Sequence, residues 1–254
     1  MLVQLQPAPV VARVATTTGL VRKPTERWLA LDLELAKFLS AQNFPVVPPA
    51  TLLPPGPHLH DGLALTFWEF VKHDRSYVAS TAEVGPFLRE MHAVLQAYPG
   101  ELRNLSPFTE IPQWLDEIER WDKVAAADLK VLRRGYSEIA AKIDAFRLPE
   151  QPLHGDAHRK NLLKTSRGLM WTDFEDACRG PIEWDLACFV RTSGENKETA
   201  LASYRGNFEL GAVDLFFDAR DLQGAAWGAI LSTRFADRKE RAGEWMNLCR
   251  KRYG

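Results

Sequence analysis

The highest density of side chains able to do chemistry lies in residues 153–163, LHGDAHRKNLL. This segment places two histidines, an aspartate, two cations and an asparagine between apolar residues. A solvated loop could carry that polarity, but burying it costs free energy unless each group finds a partner. The spacing of Asp156 and Asn161 in this segment, together with the strand that follows, points instead to a site.

The residues after this segment are typical of a hairpin. NLLKT is a short apolar run, SRG favours a turn, and LMWTDFED returns as a strand. Because a hairpin brings its two ends together, Asn161 at its start and Asp173 at its end are expected to lie close. Asp156 precedes Asn161 on the loop that leads into the hairpin.

Three oxygen-bearing side chains are thus predicted to converge. Two carboxylates at close range repel each other unless a cation lies between them. A carboxylate and an amide oxygen suit Mg²⁺, which also binds oxygens of a phosphate chain. Asp156 would then be free to accept a proton, and this division of roles is that of phosphoryl transfer. The spacing His154-x-Asp156-x₄-Asn161 matches the protein-kinase catalytic loop, except that Gly155 replaces its arginine.

The two histidines allow a second interpretation. A histidine beside such a loop usually braces its backbone, and we expect this of His154 and His158. Alternatively, His154, Asp156, His158 and Asp173 could bind a transition metal in a hydrolase. That arrangement requires an extended loop and leaves Asn161 without a role.

The elements around the motif divide the chain into two lobes. PVVARVATT (9–17) and LALTFWEFV (63–71) are predicted strands, and helical periodicity after Thr25, a candidate N-cap, predicts a helix between them. After residue 72 the pattern becomes mainly helical. The sequence therefore predicts an α+β fold with a small mixed N-terminal lobe (1–72) that ends in a hinge strand, and a larger helical lobe (73–254). Such a junction commonly holds a ligand cleft.

The composition and charge of the chain argue against several classes of protein. The 254 residues carry a net charge of -1 with a pI of about 6.6, which argues against a basic nucleic-acid-binding surface. No apolar run approaches the roughly 18 residues of a membrane span, and the N-terminus lacks the basic start of a signal peptide. Cys178, Cys188 and Cys249 form no CxxC pair and are expected to be buried. We expect a cytoplasmic protein without nucleic-acid or membrane partners; its oligomeric state stays open.

HGDAHRKN followed by WTDFEDACRGPIEWDLA resembles the aminoglycoside phosphotransferase and choline kinase-like family, which comprises small-molecule kinases with a protein-kinase-like fold. The resemblance implies that Asp156 is the catalytic base and that Asn161 and Asp173 bind Mg²⁺. It also implies a structural role for Asp185, bonding backbone amides of the catalytic loop. The DFE triplet ending in Glu175 departs from the protein-kinase DFG and argues against a phosphorylation-controlled activation loop.

The same resemblance implies roles for residues of the small lobe. Arg13 would bind the phosphates of ATP, or of GTP, with Glu34 of the following helix as its carboxylate partner and Glu26 as the less favoured candidate. Glu69 and Val71 on the hinge strand would offer backbone groups to the nucleotide base. Family members normally begin with a further strand and a glycine-containing turn. MLVQLQPAP is long enough for one strand only, so a shortened N-lobe with fewer N–H donors to the phosphates is expected.

The acceptor is expected to be a hydroxyl of a small molecule, such as an aminoglycoside-like antibiotic, an amino alcohol or a sugar. Within residues 209–231, Asp218 and Asp221 could receive a cationic acceptor. Trp227 or Trp245 could face a quaternary ammonium group, although solvated acids and core tryptophans explain the same pattern. A non-catalytic nucleotide- or ligand-binding relative is the alternative to a kinase.

Overall fold

The structure is a computed structural model that describes residues 1–254. Four strands lie in its N-terminal part: β1 (Leu2–Gln4), β2 (Val10–Val14), β3 (His58–His60) and β4 (Leu63–Glu69). They form one antiparallel sheet in the order β1-β2-β4-β3. Buried residues alternate with more exposed ones along β4, as expected when one face of a sheet is covered. The two strands predicted from the sequence are confirmed, whereas β3 is too short to produce a recognisable pattern.

The helix α1 (Glu26–Ala41) packs on β4 and supplies the cover of the sheet. Its buried side chains recur at helical spacing and include one acid, Asp32, with an exposed fraction of only 1%. Thr25 precedes this helix, but its hydroxyl donates to the carbonyl of Arg22 and caps no helical N–H. Thr25 therefore occupies the predicted N-cap position but does not cap the helix with its side chain, because its own dihedral angles are helical rather than extended.

The rest of the chain is mainly helical. Its helices are α2 (Thr81–Leu95), α3 (Ser106–Thr109), α4 (Ile111–Trp121), α5 (Ala126–Ala145), α6 (Glu183–Ser193), α7 (Lys197–Tyr204), α8 (Leu210–Ser232) and α9 (Lys239–Tyr253). The long α8 lies at the centre and contacts α4, α5, α6 and α9. It is one unbroken helix where the sequence allows one or two.

Two small strand pairs lie between the helices. β6 (Leu162–Thr165) and β7 (Gly168–Trp171) form the predicted hairpin, with Leu162 opposite Trp171. β5 (Gln151–Leu153) leads into the loop and pairs antiparallel with β8 (Cys178–Gly180). These pairs hold the two motif segments, residues 154–161 and 172–177, side by side.

The main core lies in the helical part and is rich in fully buried aromatic side chains, among them Trp114, Trp171, Trp184 and Phe174. Trp171 and Phe174 flank Asp173 in the sequence, so the polar segment is anchored on both sides by buried rings. None of the helices is both long enough and apolar enough to cross a membrane.

Candidate active site

A buried carboxylate of α6 holds the loop that follows β5. Asp185 accepts hydrogen bonds from the backbone N–H groups of His154 at 3.0 Å and Gly155 at 2.9 Å. Gly155 has a φ of +82°, and a Cβ at this position would lie 1.7 Å from the carbonyl oxygen of Asp176. Only glycine combines this backbone conformation with so close an approach. The loop is therefore rigid before any ligand arrives.

His154 braces the same loop from inside the core. Its Nδ1 accepts the N–H of Asp156 at 3.3 Å, and its Nε2 donates to the carbonyl of Thr172 at 3.2 Å. Burial lowers the pKa of His154, which favours the neutral ring that this bonding requires. Both ring nitrogens are engaged with backbone, and no group of three or more histidine, cysteine, aspartate or glutamate side chains is placed to hold a metal ion. The transition-metal interpretation does not fit this geometry.

The carboxylate of Asp156 faces a cleft and is contacted by two basic side chains. Arg220 of α8 donates to its Oδ1, and Nε2 of His158 lies 3.2 Å from its Oδ2. Burial alone would raise the pKa of Asp156, but Arg220 and His158 hold it well below its usual range. Asp156 in turn raises the pKa of His158 against the effect of burial. Asp156 is therefore an ionised acceptor at neutral pH.

Asn161 and Asp173 lie at adjacent ends of the hairpin, as the sequence predicts. The N–H of Thr172 donates to the carbonyl of Asn161 at 3.0 Å, which extends the strand pairing by one step. The side-chain Nδ2 of Asn161 donates to the carbonyl of Asp156 at 3.0 Å. Its Oδ1 accepts no hydrogen bond from the protein and is free for another partner.

The donor set around Asp173 fits a divalent cation. Burial raises the pKa of Asp173 to about 8, with Glu175 and Asp32 adding to the effect and Arg13 opposing it. The negative charge of Asp173, Glu175 and Asp32 therefore exceeds the positive charge that Arg13 supplies. An additional cation beside Asp173 and the free oxygen of Asn161 would relieve this, and Mg²⁺ accepts such oxygen ligands. These two residues are the ones that would hold it.

Arg13 on β2 connects the sheet to the hairpin. Its guanidinium lies 3.2 Å from Asp32, 2.8 Å from Asp173 and 2.6 Å from Glu175. The partner that α1 supplies is thus Asp32, and the prediction of Glu34 is wrong. Two residues along a helix correspond to about 200° of rotation, so Glu34 faces solvent while Asp32 faces Arg13.

The hinge segment offers one free backbone donor. The N–H of Glu69 donates to the carbonyl of Pro48 at 3.0 Å, so the carbonyl is the backbone group of Glu69 that is left for a nucleotide base. The proline-rich connection runs beside the end of β4 and takes this bond. The N–H of Val71 makes no bond within the protein, while its carbonyl lies 2.8 Å from Nδ1 of His73.

A cleft of about 450 Å³ extends from the loop of residues 154–161 towards α8 and α9. Of the predicted acceptor residues, Trp227 and Trp245 line it, and Trp227 lies beside Trp114 with ring centroids 5.4 Å apart. Asp218 pairs with Arg252, and Asp221 lies 2.7 Å from Arg191. The prediction that these two acids receive a cationic acceptor is wrong, because each is neutralised by an arginine and neither lines the cleft.

Two residues of the site, Asp32 and Arg220, were not identified from the sequence. Asp32 interrupts the apolar stripe of α1, and an acid in such a stripe is the signal that could have identified it. Arg220 lies on the buried face of α8, four residues after the buried Phe216, and carries the same kind of signal. Its Nη2 also lies 2.8 Å from the sulfur of Cys188, so this cysteine borders the site rather than serving only as filler.

Comparison with known proteins gives one family and one fold. The sequence profile described as the phosphotransferase enzyme family matches residues 9–242. A search of curated protein sequences found no significant match.

Several solved structures are similar over nearly the whole chain. The amicoumacin kinase hAmiN, in complex with AMP-PNP, Ca²⁺ and Ami, has a TM-score of 0.70 at 13% identity, with 96% of this chain and 82% of that chain covered. Choline kinase LicA from Streptococcus pneumoniae has a TM-score of 0.68 at 15% identity, with 97% and 89% covered. The GDP and kanamycin complex of APH(2")-IIia has a TM-score of 0.65 at 17% identity, with 96% and 88% covered. At these identities the similarity shows the fold.

Proposed function

The chain belongs to the phosphotransferase enzyme family and has the protein-kinase-like fold of small-molecule kinases, and on this basis we propose that it transfers the γ-phosphate of ATP to a hydroxyl group of a small molecule. The amicoumacin kinase structure contains AMP-PNP and the kanamycin complex contains GDP, which supports a nucleotide as the phosphate donor and keeps GTP as an alternative to ATP.

One observation carries the proposal. The ionised carboxylate of Asp156 faces the same cleft as Asp173, and the peptide carbonyl of Asp156 is bonded to the side chain of Asn161. A proton acceptor and a pair of metal-binding oxygens are thus held in one rigid loop–hairpin unit. Phosphoryl transfer depends mainly on positioning and electrostatic stabilisation, which such a unit provides.

The residues of the chain divide the reaction between them. The acceptor hydroxyl donates a hydrogen bond to Asp156, and its oxygen forms a bond to the γ-phosphorus as the bond from that phosphorus to the β-phosphate oxygen breaks. The hydroxyl proton passes to the Asp156 carboxylate, and the nucleoside diphosphate leaves. A low pKa makes Asp156 a weak base, so it orients the hydroxyl early and receives the proton once the new bond has made that oxygen acidic.

Two further groups bind the donor. Mg²⁺ bound by Asn161 and Asp173 would neutralise charge on the phosphate oxygens. Arg13, which is always charged and already faces Asp173, is the side chain of the small lobe placed to bind the same phosphates. The free N–H of Val71 is the hinge donor that we assign to the nucleotide base.

Substitution of the proposed base provides the test. Asp156→Asn keeps the shape of the side chain but removes the proton acceptor, so we expect kcat to fall by about 10²- to 10⁴-fold. ATP consumption and phosphorylated product are measured with an accepted hydroxyl compound, and circular dichroism checks the fold. Asp61→Asn is the matched control, because Asp61 lies exposed at a turn with positive φ, a conformation that asparagine tolerates.

The results separate the alternatives. Equal turnover by the wild type and Asp156→Asn would show that Asp156 is not the base. Thermal stabilisation by ATP with Mg²⁺, without a phosphorylated product for any acceptor tested, would favour the non-catalytic ligand-binding relative.

A further inference from the structure

Three helices build the wall of the cleft beyond Asp156. α6 and α9 each contribute one face, and α8 contributes residues at the spacing of one helical face, from Arg220 through Gly224 and Trp227 to Leu231. Gly224 and Gly228 let the ring of Trp245 lie against α8, since a Cβ at either position would stand 3.1 to 3.3 Å from that ring or from Ala242. The wall is therefore closely packed rather than a loose surface groove.

The charges on this wall are all of one sign. The charged residues that α6, α8, α9 and the turn before α9 direct into the cleft are Arg191, Arg220, Arg238 and Arg241. No carboxylate from these helices lines it. The acids that do line the cleft belong to the catalytic loop and to residues 173–176. The acids of the cleft thus lie on the loop and the hairpin side, whereas the helical wall contributes arginines as its only charged residues.

Part of the positive charge has no partner in the protein. Arg241 forms no ion pair, and its guanidinium lies 4.7 Å from the ring centre of Trp245. Arg191 lies over the same ring at 5.5 Å, so two arginines flank one tryptophan. Burial and the nearby Arg220 and Arg241 lower the pKa of Arg191 despite its pair with Asp221. Crowded cations of this kind favour an anion between them.

Building on the proposed kinase function, we propose that the acceptor is a hydroxyl compound that carries a carboxylate or phosphate group. Its hydroxyl lies at Asp156, and its anionic group lies against Arg241 and Arg191 beside Trp245. Guanidinium groups bind both carboxylate and phosphate through paired N–H donors. An amino sugar or amino alcohol, cationic at neutral pH, would meet repulsion in the same place. The positive charge of the wall thus disfavours the binding of cationic acceptors.

Two series of related acceptors, each with anionic, neutral and cationic members, test this proposal. One series consists of gluconate, glucose 6-phosphate, glucose and glucosamine, and the other of glycerate, glycerol 3-phosphate, glycerol and 3-amino-1,2-propanediol. Binding to the full chain with AMP-PNP and Mg²⁺ is measured by calorimetry at low and high salt, and turnover is measured with ATP. We expect the anionic members to bind at least about tenfold more tightly than their neutral parents, with the difference shrinking at high salt. Comparing the carboxylates with the phosphates identifies which anion the wall prefers.

Substitutions of Arg241 test whether this side chain binds the anionic group of the acceptor. Arg241→Gln should raise the KM of the best anionic acceptor about tenfold and Arg241→Glu should raise it further, while the KM for ATP stays unchanged. Arg234→Gln is the control, because Arg234 is an exposed arginine near the end of α8 that does not line the cleft.

Each outcome bears on one proposal. Amine or neutral members that bind as tightly as the anions in both series would overturn the anionic acceptor and leave the kinase function intact. Anion-selective binding that Arg241→Gln weakens, with no product from any acceptor, would support the basic wall but contradict the kinase function. A KM change for ATP rather than for the acceptor would assign Arg241 to the nucleotide and overturn the inference.

Discussion

The guanidinium of Arg220 on α8 spans the catalytic loop at Asp156. Its Nη2 donates to the Oδ1 of Asp156, and its Nη1 donates to the carbonyl of Gly155 at 3.0 Å. One side chain therefore sets both the charge of the proposed base and the position of the backbone before it. Because Arg220 is buried, water cannot easily replace this contact when it is removed.

Arg220→Gln should change the pH dependence of the reaction as well as its rate. Without the arginine, burial raises the pKa of Asp156, opposed only by His158. Protonated Asp156 cannot accept the hydroxyl proton, so the acid limb of kcat/KM should move to higher pH. Arg220→Lys keeps a positive charge and should shift the limb less. Superimposable pH profiles for the wild type and Arg220→Gln would contradict control of Asp156 by this arginine.

Asp185→Asn should destabilise the loop without touching the reacting groups. The carboxylate accepts the N–H groups of His154 and Gly155 and lies 3.1 Å from Nε2 of His92. An amide offers only one acceptor oxygen, so at least one buried donor loses its partner, at a cost of about 1 to 3 kcal/mol. Urea unfolding monitored by tryptophan fluorescence measures the change.

The control for this variant is Asp214→Asn. Asp214 pairs with Lys197 at 2.7 Å on the surface, with a side chain that is 55% exposed. Such exposed pairs contribute about 0 to 1 kcal/mol. Equal losses of unfolding free energy in the two variants would show that Asp185 does not hold the loop.

The hairpin and its surroundings could be predicted because their signals are local. Asn161 and Asp173 are neighbours in space because a short strand, a tight turn and a return strand leave no other arrangement, and that pattern lies within 13 residues. The family resemblance then extended the prediction to Asp185, which accepts the backbone N–H groups of His154 and Gly155. Contacts that close over a short stretch of chain need little information beyond residue type and spacing.

Contacts between distant segments could not be predicted in this way. The pairing of Arg13 with Asp32 instead of Glu34 depends on which face of α1 turns towards the hairpin, about 140 residues later in the chain. The hydrogen bond from the N–H of Glu69 to the carbonyl of Pro48 joins β4 to a connection whose sequence has no periodicity. The bond between Arg220 and Asp156 joins residues 64 positions apart and has no local signature.

Gly155→Ala should be among the most destabilising single substitutions in the chain. The left-handed backbone costs an alanine about 1 to 2 kcal/mol, and its Cβ would also collide with the carbonyl of Asp176 at 1.7 Å. Gly168→Ala is the matched control, since Gly168 has a φ of +116° but nothing within 4 Å of its Cβ position. Thermal unfolding should show a larger loss of stability for Gly155→Ala, and similar losses would mean that the loop can move aside.

Asp32 gives the apo protein a specific pH dependence. Burial, together with Glu175 and Asp176, raises the pKa of Asp32 from 3.8 to about 6 although Arg13 and the N–H of Phe174 oppose the shift. An acid whose pKa is raised by folding is bound to a proton more often in the folded state. The stabilisation of the folded state by this protonation is therefore present in full below about pH 4 and is lost as the pH rises to about 6.

Asp32→Asn should remove this component, because an amide does not titrate. The wild type should lose up to about 3 kcal/mol more unfolding free energy than Asp32→Asn as the pH rises from about 4 to 7, given about 1.4 kcal/mol for each unit of pKa. Guanidinium unfolding at several pH values, without nucleotide or Mg²⁺, measures the difference. Glu34→Gln on the exposed face of the same helix should follow the wild-type curve. Parallel curves for the wild type and Asp32→Asn would mean that Arg13 keeps Asp32 ionised throughout, and that burial is the weaker of the two effects at this position.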